Sequence, residues 1–287
     1  MERLELFDKY FCTFEKWDIF VEELQKYKCE QDYFEEYNRV KDEAINDIKS
    51  TKAYQLLNLE DMNKFQVTHK NLPSKDIFKE TNDGKMFISI DMKKANFSAL
   101  RHYGLSVGHS MFGTRTWEDY ISGFTDNQHI INSKYIRQVI LGNCNPKKHI
   151  TYEKWIMDQV LTKIETELGD AFTERIVFFS NDEIVYDISN SRRNYSKDFQ
   201  DILKKYFDIP FRVETFILRK IVGTDGYYKK IYKEHREYDI DFKCLNNYMI
   251  PFVLRTFNGE EITENDKIFY HEGLLSKFIE IPKIEVN

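Results

Sequence analysis

Proline and glycine are scarce in this chain, with 5 Pro and 11 Gly among 287 residues and neither type before Pro73. A first quarter without helix breakers reads as helical. Cysteine is equally sparse. Cys12, Cys29, Cys144 and Cys244 stand singly, and no CxxC pair occurs. That pattern suits reduced intracellular thiols rather than a disulfide framework or a zinc site. No apolar run approaches the ~20 residues a membrane helix needs. The opening MERLELFDKY lacks the apolar stretch of a signal peptide, so the expectation is a soluble, intracellular protein with no membrane partner. Positive charge is not in excess either. The formal net charge is -6, which excludes wholesale electrostatic wrapping of nucleic acid, although a local basic groove remains open. No internal repeat or low-complexity segment is present. The Lys-, Asn-, Ile- and Phe-rich style suits an AT-rich coding source such as a large virus or phage.

What is abundant is apolar and aromatic material, 41% and 15% of residues, with 23 Phe and 18 Tyr. That is ample for a substantial core. Residues 1–65 form the expected helical N-terminal region, and Phe14, Trp17, Phe20, Val21 and Leu24 fall along one stripe that reads as core. Asn82-Asp83-Gly84 signals a turn before the strand-like run Met86–Ile90, which delivers Asp91 at its end. Helices are expected from Thr116, over about 132–141 and over 151–168. Two β-type runs, Arg175–Ser180 and Glu183–Ile188, flank Asn181-Asp182, whose residue types tolerate the positive φ of a two-residue hairpin loop. A helix with Phe199, Ile202, Leu203 and Tyr206 on one face follows. The strand Arg212–Val222 then turns at Gly223–Gly226 into Tyr227–Tyr232. The expectation is an α+β fold, a small, mostly antiparallel sheet packed on one face by helices. The catalytic unit would span 66–232 with a helical insertion at 104–170, and 233–287 would be a mixed extension.

Two acid-bearing strand ends are the chemical signal. Taken singly, Asp182-Glu183 reads as a polar hairpin turn and Asp91 as an acid capping the next helix. Taken together, Asp91, Asp182 and Glu183 would repel one another unless cations sit among them. Hard carboxylate oxygens suit Mg²⁺ or Mn²⁺, and such ions support in-line displacement at phosphorus.

At these positions the chain resembles the palm domain of nucleic-acid polymerases. ISIDMKKANFSALR, which contains Asp91, is similar to motif A, and FFSNDEIVYDI, which contains Asp182-Glu183, is similar to motif C. The Asp-Glu pair before an apolar strand is closest in wording to family A DNA polymerases. Reverse transcriptases and viral RNA polymerases share the plan but usually carry two Asp, or Gly-Asp-Asp. Lys134–Asn143 resembles the family A finger helix that holds the incoming triphosphate. Arg137 falls where that family has its catalytic Lys, and Lys134 lies near its upstream Arg. Leu141 stands where an aromatic belongs, and the second Tyr-Gly of that helix is missing. The interval from Gly142 to Asp182 is shorter than in family A, whereas that from Asp91 to Asp182 suits reverse transcriptases or RNA polymerases. These departures put family A membership itself in doubt. The resemblance covers residues 86–188 and shows neither a thumb nor a nuclease domain. It implies that Asp91 and Asp182 bind two metal ions with Glu183 assisting, and that Lys134 and Arg137 neutralise the triphosphate. It also implies that Asn96, with Phe97 beside it, contacts the sugar. The partners implied are nucleoside triphosphates and a primer-template. An Asn in place of a bulky aromatic at the sugar position implies ribonucleotide tolerance.

Other readings stand beside this one. Nucleotide cyclases and tRNA guanylyltransferases use a similar sheet and often an Asp-Glu second motif, which would make the enzyme template-independent. A third reading keeps the fold as an inactive nucleic-acid-binding scaffold. Lys134 and Arg137 also read as a solvated helix face, as do Arg192-Arg193 and Lys229–Lys233, and Lys147-Lys148 reads as loop or phosphate contact. His102, His109, His149 and His235 lack ligand spacing and read as surface or core.

Overall fold

The computed structural model describes residues 2–191, 193–233 and 237–286, so Arg192 and His235 lie outside the described residues. Four helices open the chain: α1 (Glu2–Phe11), α2 (Thr13–Leu24), α3 (Glu30–Ser50) and α4 (Lys52–Leu59). In α3 the buried residues Tyr33, Val40, Ala44 and Ile48 recur at steps of four or seven and face inward as one stripe. Thr51 starts α4 by accepting a hydrogen bond from Tyr54 N–H at 3.2 Å. The expected core stripe of α2 is only half-buried, and Trp17 is 60% exposed. The periodicity located the helix face, where Phe20 packs on Tyr33 of α3 and His129, but Trp17 is left in solvent.

The sheet begins with β1 (Met86–Met92), which α5 (Ala95–Ser106) follows. Then come α6 (Trp117–Ile121), α7 (Gln128–Asn132), α8 (Lys134–Gly142) and α9 (Pro146–Leu168). Thr116 caps α6 through Asp119 N–H, as its sequence signature suggests. Helix α9 starts earlier than its apolar periodicity indicates because Pro146 occupies the first turn, where a missing N–H costs nothing. The chain continues through β2 (Ile176–Phe179), β3 (Glu183–Asp187), α10 (Ser196–Tyr206), β4 (Phe211–Val222), β5 (Tyr227–Tyr232) and β6 (Tyr238–Lys243). It closes with α11 (Ile250–Asn258), β7 (Ile268–His271), β8 (Leu274–Lys277) and β9 (Glu285–Val286).

The main sheet has the order β2-β3-β1-β4-β5-β6, every neighbouring pair antiparallel, with β9 added beside β4. The fold is therefore α+β, an antiparallel sheet packed by helices behind a helical N-terminal region. Alternation along β1 sends Ile88, Ile90 and Met92 to one face, where Ile184 and Tyr186 join them against α5, α9 and α10 in the main core. Each fully buried Ile or Phe in that layer contributes roughly 2 kcal/mol relative to exposure. The opposite face carries Phe87, Val185, Phe216, Leu218 and Tyr227, covered in part by Ile77 and Phe78.

The three expected segments interlock. Core residues of α3 and α4 belong to the same cluster as Ile136 and Ile140 of α8. The sheet runs on past residue 233, because β6 pairs with β5 along its length. At the far end α1 lies against α11. The Tyr10 hydroxyl donates to Asn258, and the Arg3 guanidinium donates to the carbonyls of Asn265 and Ile268 at 3.0 and 2.8 Å.

Candidate active site

Strand β1 is central, bonded to β3 on one side and β4 on the other. Its register sets Asp91 directly across from Glu183 on β3 and from Arg212 on β4. Side chains directly opposite share one face of the sheet, so two acids and a guanidinium meet on the face away from the main helical core. The β2–β3 loop brings in the third acid. Ser180 N–H bonds Glu183 carbonyl at 2.9 Å and closes a two-residue loop, Asn181-Asp182. Neither loop residue takes the positive φ expected of that position. The Ser180 hydroxyl braces the turn instead. It accepts from the N–H groups of Asp182 and Glu183 at 3.3 and 2.9 Å, and donates to Asp182 Oδ1 at 2.9 Å. The Asp182 carbonyl then accepts from Met92 N–H at 2.8 Å, which ties the loop to the end of β1.

Electrostatics follow from this crowding. Burial raises the Asp91 carboxyl above its usual range and the charge of Asp182 adds to the rise, while Arg212 and Lys229 oppose it. Glu183 is also raised, first by burial and then by Asp91 and Asp182, against the pull of Lys229 and Arg212. Each acid has a cation at hand: Arg212 lies 3.2 Å from Asp91, and Lys229 lies 3.9 Å from Glu183. Lys229, read from the sequence as a solvated face, is 7% exposed, with its ammonium 4.5 Å from the centre of the Phe216 ring.

A cavity of about 420 Å³ opens beside these residues, and it draws on five stretches of chain. Asp91, Lys94 and Asn96 come from the β1–α5 junction, Lys134, Arg137 and Gln138 from α8, and His149 and Glu153 from α9. Asp182 comes from the hairpin loop and Arg212 from β4. Five of the residues singled out in the sequence, Asp91, Asn96, Lys134, Arg137 and Asp182, thus line one space. Glu183 is not in its wall and faces Asp91 across the β1–β3 pairing. Phe97 does not reach it. One residue on from Asn96, it turns inward and packs its ring 4.6 Å from Phe112 and 6.0 Å from Trp117 in the core.

Arg137 is not on a solvated face. It is 8% exposed, and among the described residues no partner serves its buried Nε. Burial lowers its pKa from the usual guanidinium value, with Glu118 opposing. The Asn96 amide oxygen accepts from Phe97 N–H at 2.9 Å. His149, expected at the surface or in plain core, lies in the cavity wall at 5% exposure. Its Nδ1 is 2.9 Å from Glu153 Oε1, and its Nε2 has no partner among the described residues. The spacing His149-xxx-Glu153, one helical turn, was the sequence signal for that pair. Lys148 is neither loop nor phosphate contact, because its ammonium donates to the carbonyls of Leu57, Asn58 and Glu60. Arg193 pairs with Asp198.

As a place for a hard divalent cation, the site offers Asp91 and Asp182, mutually repelling oxygens on one cavity wall. Glu183 is drawn toward Lys229, and no group of three or more His, Cys, Asp or Glu stands in a metal-holding arrangement among the described residues. The donor set fits two carboxylates rather than three. Lys94, Lys134, Arg137 and Arg212 line the same cavity, the mixed charge a metal-bound polyphosphate would meet. No protein family, curated protein or solved structure matches this chain.

Proposed function

We propose that this chain is a metal-dependent nucleotidyltransferase of palm type, acting as a template-directed nucleic-acid polymerase. One observation carries the reading. Asp91 and Asp182, far apart in sequence, share a cavity with Lys134, Arg137 and Asn96, so that two acids, two cations and an amide line a single space. In this reading Asp91 and Asp182 hold Mg²⁺ or Mn²⁺, which when bound supplies Lewis-acid activation of the attacking oxygen and stabilises the leaving one. Arg137 and Lys134 orient and neutralise the triphosphate of the incoming nucleotide, and Arg137 does so from a site already stripped of water. Asn96 faces the sugar with a group small enough to admit a 2′-hydroxyl. Glu183 assists through its repulsion on Asp91, which keeps the local potential negative.

The test is nucleotide addition to primed DNA and RNA templates with Mg²⁺ or Mn²⁺. Extension by the wild type, abolished by Asp182→Asn, is expected. A wild-type chain inert on every template would overturn the proposal. Product formed from nucleotides alone, as a cyclic nucleotide or as free pyrophosphate, would move it to the template-independent palm enzymes.

A second reading draws on the pairing of Asp91 with Arg212 and Glu183 with Lys229, which neutralises two acids with the protein's own cations. This favours a polymerase-like scaffold that binds nucleic acid without transfer. Binding of nucleic acid without binding of Mn²⁺ or nucleotide at millimolar concentration would select it.

A further inference from the structure

One group in the cavity wall has no part in the reading above. His149 and Glu153 lie on successive turns of α9, and both are more than nine-tenths buried, at 5% and 3% exposure. The carboxylate of Glu153 is used at both oxygens. Oε1 meets His149 Nδ1 at 2.9 Å, and Oε2 accepts from Asn181 Nδ2 at 2.9 Å. Among the described residues it has no Lys or Arg partner.

Oε2 accepts from Asn181, and with Oε1 accepting as well the proton of the His149–Glu153 contact sits on Nδ1. The other nitrogen, Nε2, is then left buried and, among the described residues, unpartnered in a cavity lined by the acids Asp91 and Asp182 and the cations Lys94, Lys134, Arg137 and Arg212. A buried polar atom without a partner costs roughly 1–3 kcal/mol, which a ligand contact would recover. Arg137 Nε, also orphaned and also lining this cavity, points to the same occupant. Asn181 is the residue before Asp182, so the relay Asn181–Glu153–His149 fixes the imidazole relative to the acid-bearing loop.

We propose that His149 contacts the pyrophosphate portion of the bound nucleotide through Nε2 and gives it a proton as it departs. The assignment rests on the nucleotidyl-transfer reading. In this step the attacking hydroxyl oxygen bonds to the α-phosphorus and releases its proton to solvent. The bond from the α-phosphorus to the bridging oxygen breaks, and its electron pair stays on that oxygen, now part of pyrophosphate. The oxygen takes the Nε2 proton of the imidazolium. Neutral His149, still donating Nδ1–H to Glu153, regains a proton from solvent. Glu153 stabilises the imidazolium as a buried counter-charge. The other groups facing the imidazole across the cavity are Lys134 and Arg137 from α8, Asp91 and Lys94 from the β1–α5 junction, Asp182 from the hairpin loop and Arg212 from β4.

His149→Asn keeps a donor near the Nδ1 position for Glu153 and removes Nε2, which makes it the variant of choice. Magnesium pyrophosphate is expected to bind it about tenfold more weakly than wild type by calorimetry, and unchanged affinity would overturn the contact. Should the variant fail to fold, the imidazole ¹⁵N resonances of wild type decide the same point, because Nε2 must shift on adding magnesium pyrophosphate. Proton donation is read by leaving-group acidity. With a β,γ-methylene triphosphate the variant is expected to lose about 100-fold in rate, and with the more acidic β,γ-difluoromethylene analogue markedly less. An equal loss on both analogues would mark a purely structural role and overturn the proton transfer alone. A wild-type chain that transfers no nucleotide at all would overturn the underlying reading together with this step.

Discussion

Replacing Asp182 by Asn tests the site through stability, without relying on activity. The change removes one negative charge and keeps Oδ1, so the hydrogen bond from the Ser180 hydroxyl survives and the hairpin loop keeps its brace. What is lost is repulsion on Asp91 and Glu183, both of which Asp182 pushes upward. Two unit charges roughly 6 Å apart repel by about 0.7 kcal/mol at the dielectric of water and about 3 kcal/mol at an effective value of 20. The loop is only partly buried, so the lower part of that range applies. The metal-free variant should therefore be more stable than wild type by about 1 kcal/mol, or about 3 °C in Tm. Manganese inverts the order. At one hundred times its Kd it stabilises wild type by about 2.7 kcal/mol, and the variant, lacking half of the proposed donor pair, should gain almost nothing. Differential scanning calorimetry at pH 7 with and without Mn²⁺ reads both effects. A metal-free variant that melts below wild type, or an equal Mn²⁺ shift in both proteins, would refute the argument that Asp91 and Asp182 form one repelling, cation-binding pair.

Three further outcomes are expected. Asn96→Tyr should shift the ratio of NTP to dNTP incorporation at least tenfold toward dNTPs, measured in single-nucleotide extension, because an aromatic ring would fill the space beside the sugar hydroxyl. His69 bridges Asp158 at 2.7 Å and Glu165 at 2.8 Å; burial disfavours its imidazolium, but the hydrogen bonds to Glu165 and Asp158 outweigh it and raise its pKa. The stability from this clamp is thus complete below the ordinary histidine pKa and is lost as pH rises through the raised one. His69→Gln should cost about 2 kcal/mol at pH 6 and visibly less at pH 9 in urea titrations. Gly104→Ala would place a Cβ 2.6 Å from the His109 carbonyl oxygen and 3.2 Å from Met111 N, both backbone atoms, and should lower the urea midpoint by the equivalent of about 1–3 kcal/mol.

The acids were legible in the sequence because each ends an apolar strand of unmistakable pattern, and strands that end alike in an antiparallel sheet can meet. Their cations were not legible. Arg212 faces Asp91 only because β4 pairs with β1 in one register, and Lys229 reaches Glu183 across two intervening strands, β1 and β4. Residue-level periodicity carries no information about either pairing. Phe97 was misplaced for a simpler reason. Successive residues in the first turn of a helix point about 100° apart, so a neighbour of a cavity residue can belong to the core. The histidines were judged by metal-ligand spacing alone, which hid the one-turn His149–Glu153 pair. Within α2, pattern found the inward side but could not reveal how little there was to cover it.

The central place of β1 also bears on hydrogen exchange. Its amides are engaged by β3 and β4, and the Met92 amide is held by the loop that carries Asp182. Such amides exchange only when the whole molecule opens, whereas helix ends and surface turns exchange through local fraying. Asp91 therefore sits in the last part of the chain to come apart, whereas the Asn181-Asp182 loop and the α8–α9 wall are where the pocket breathes first.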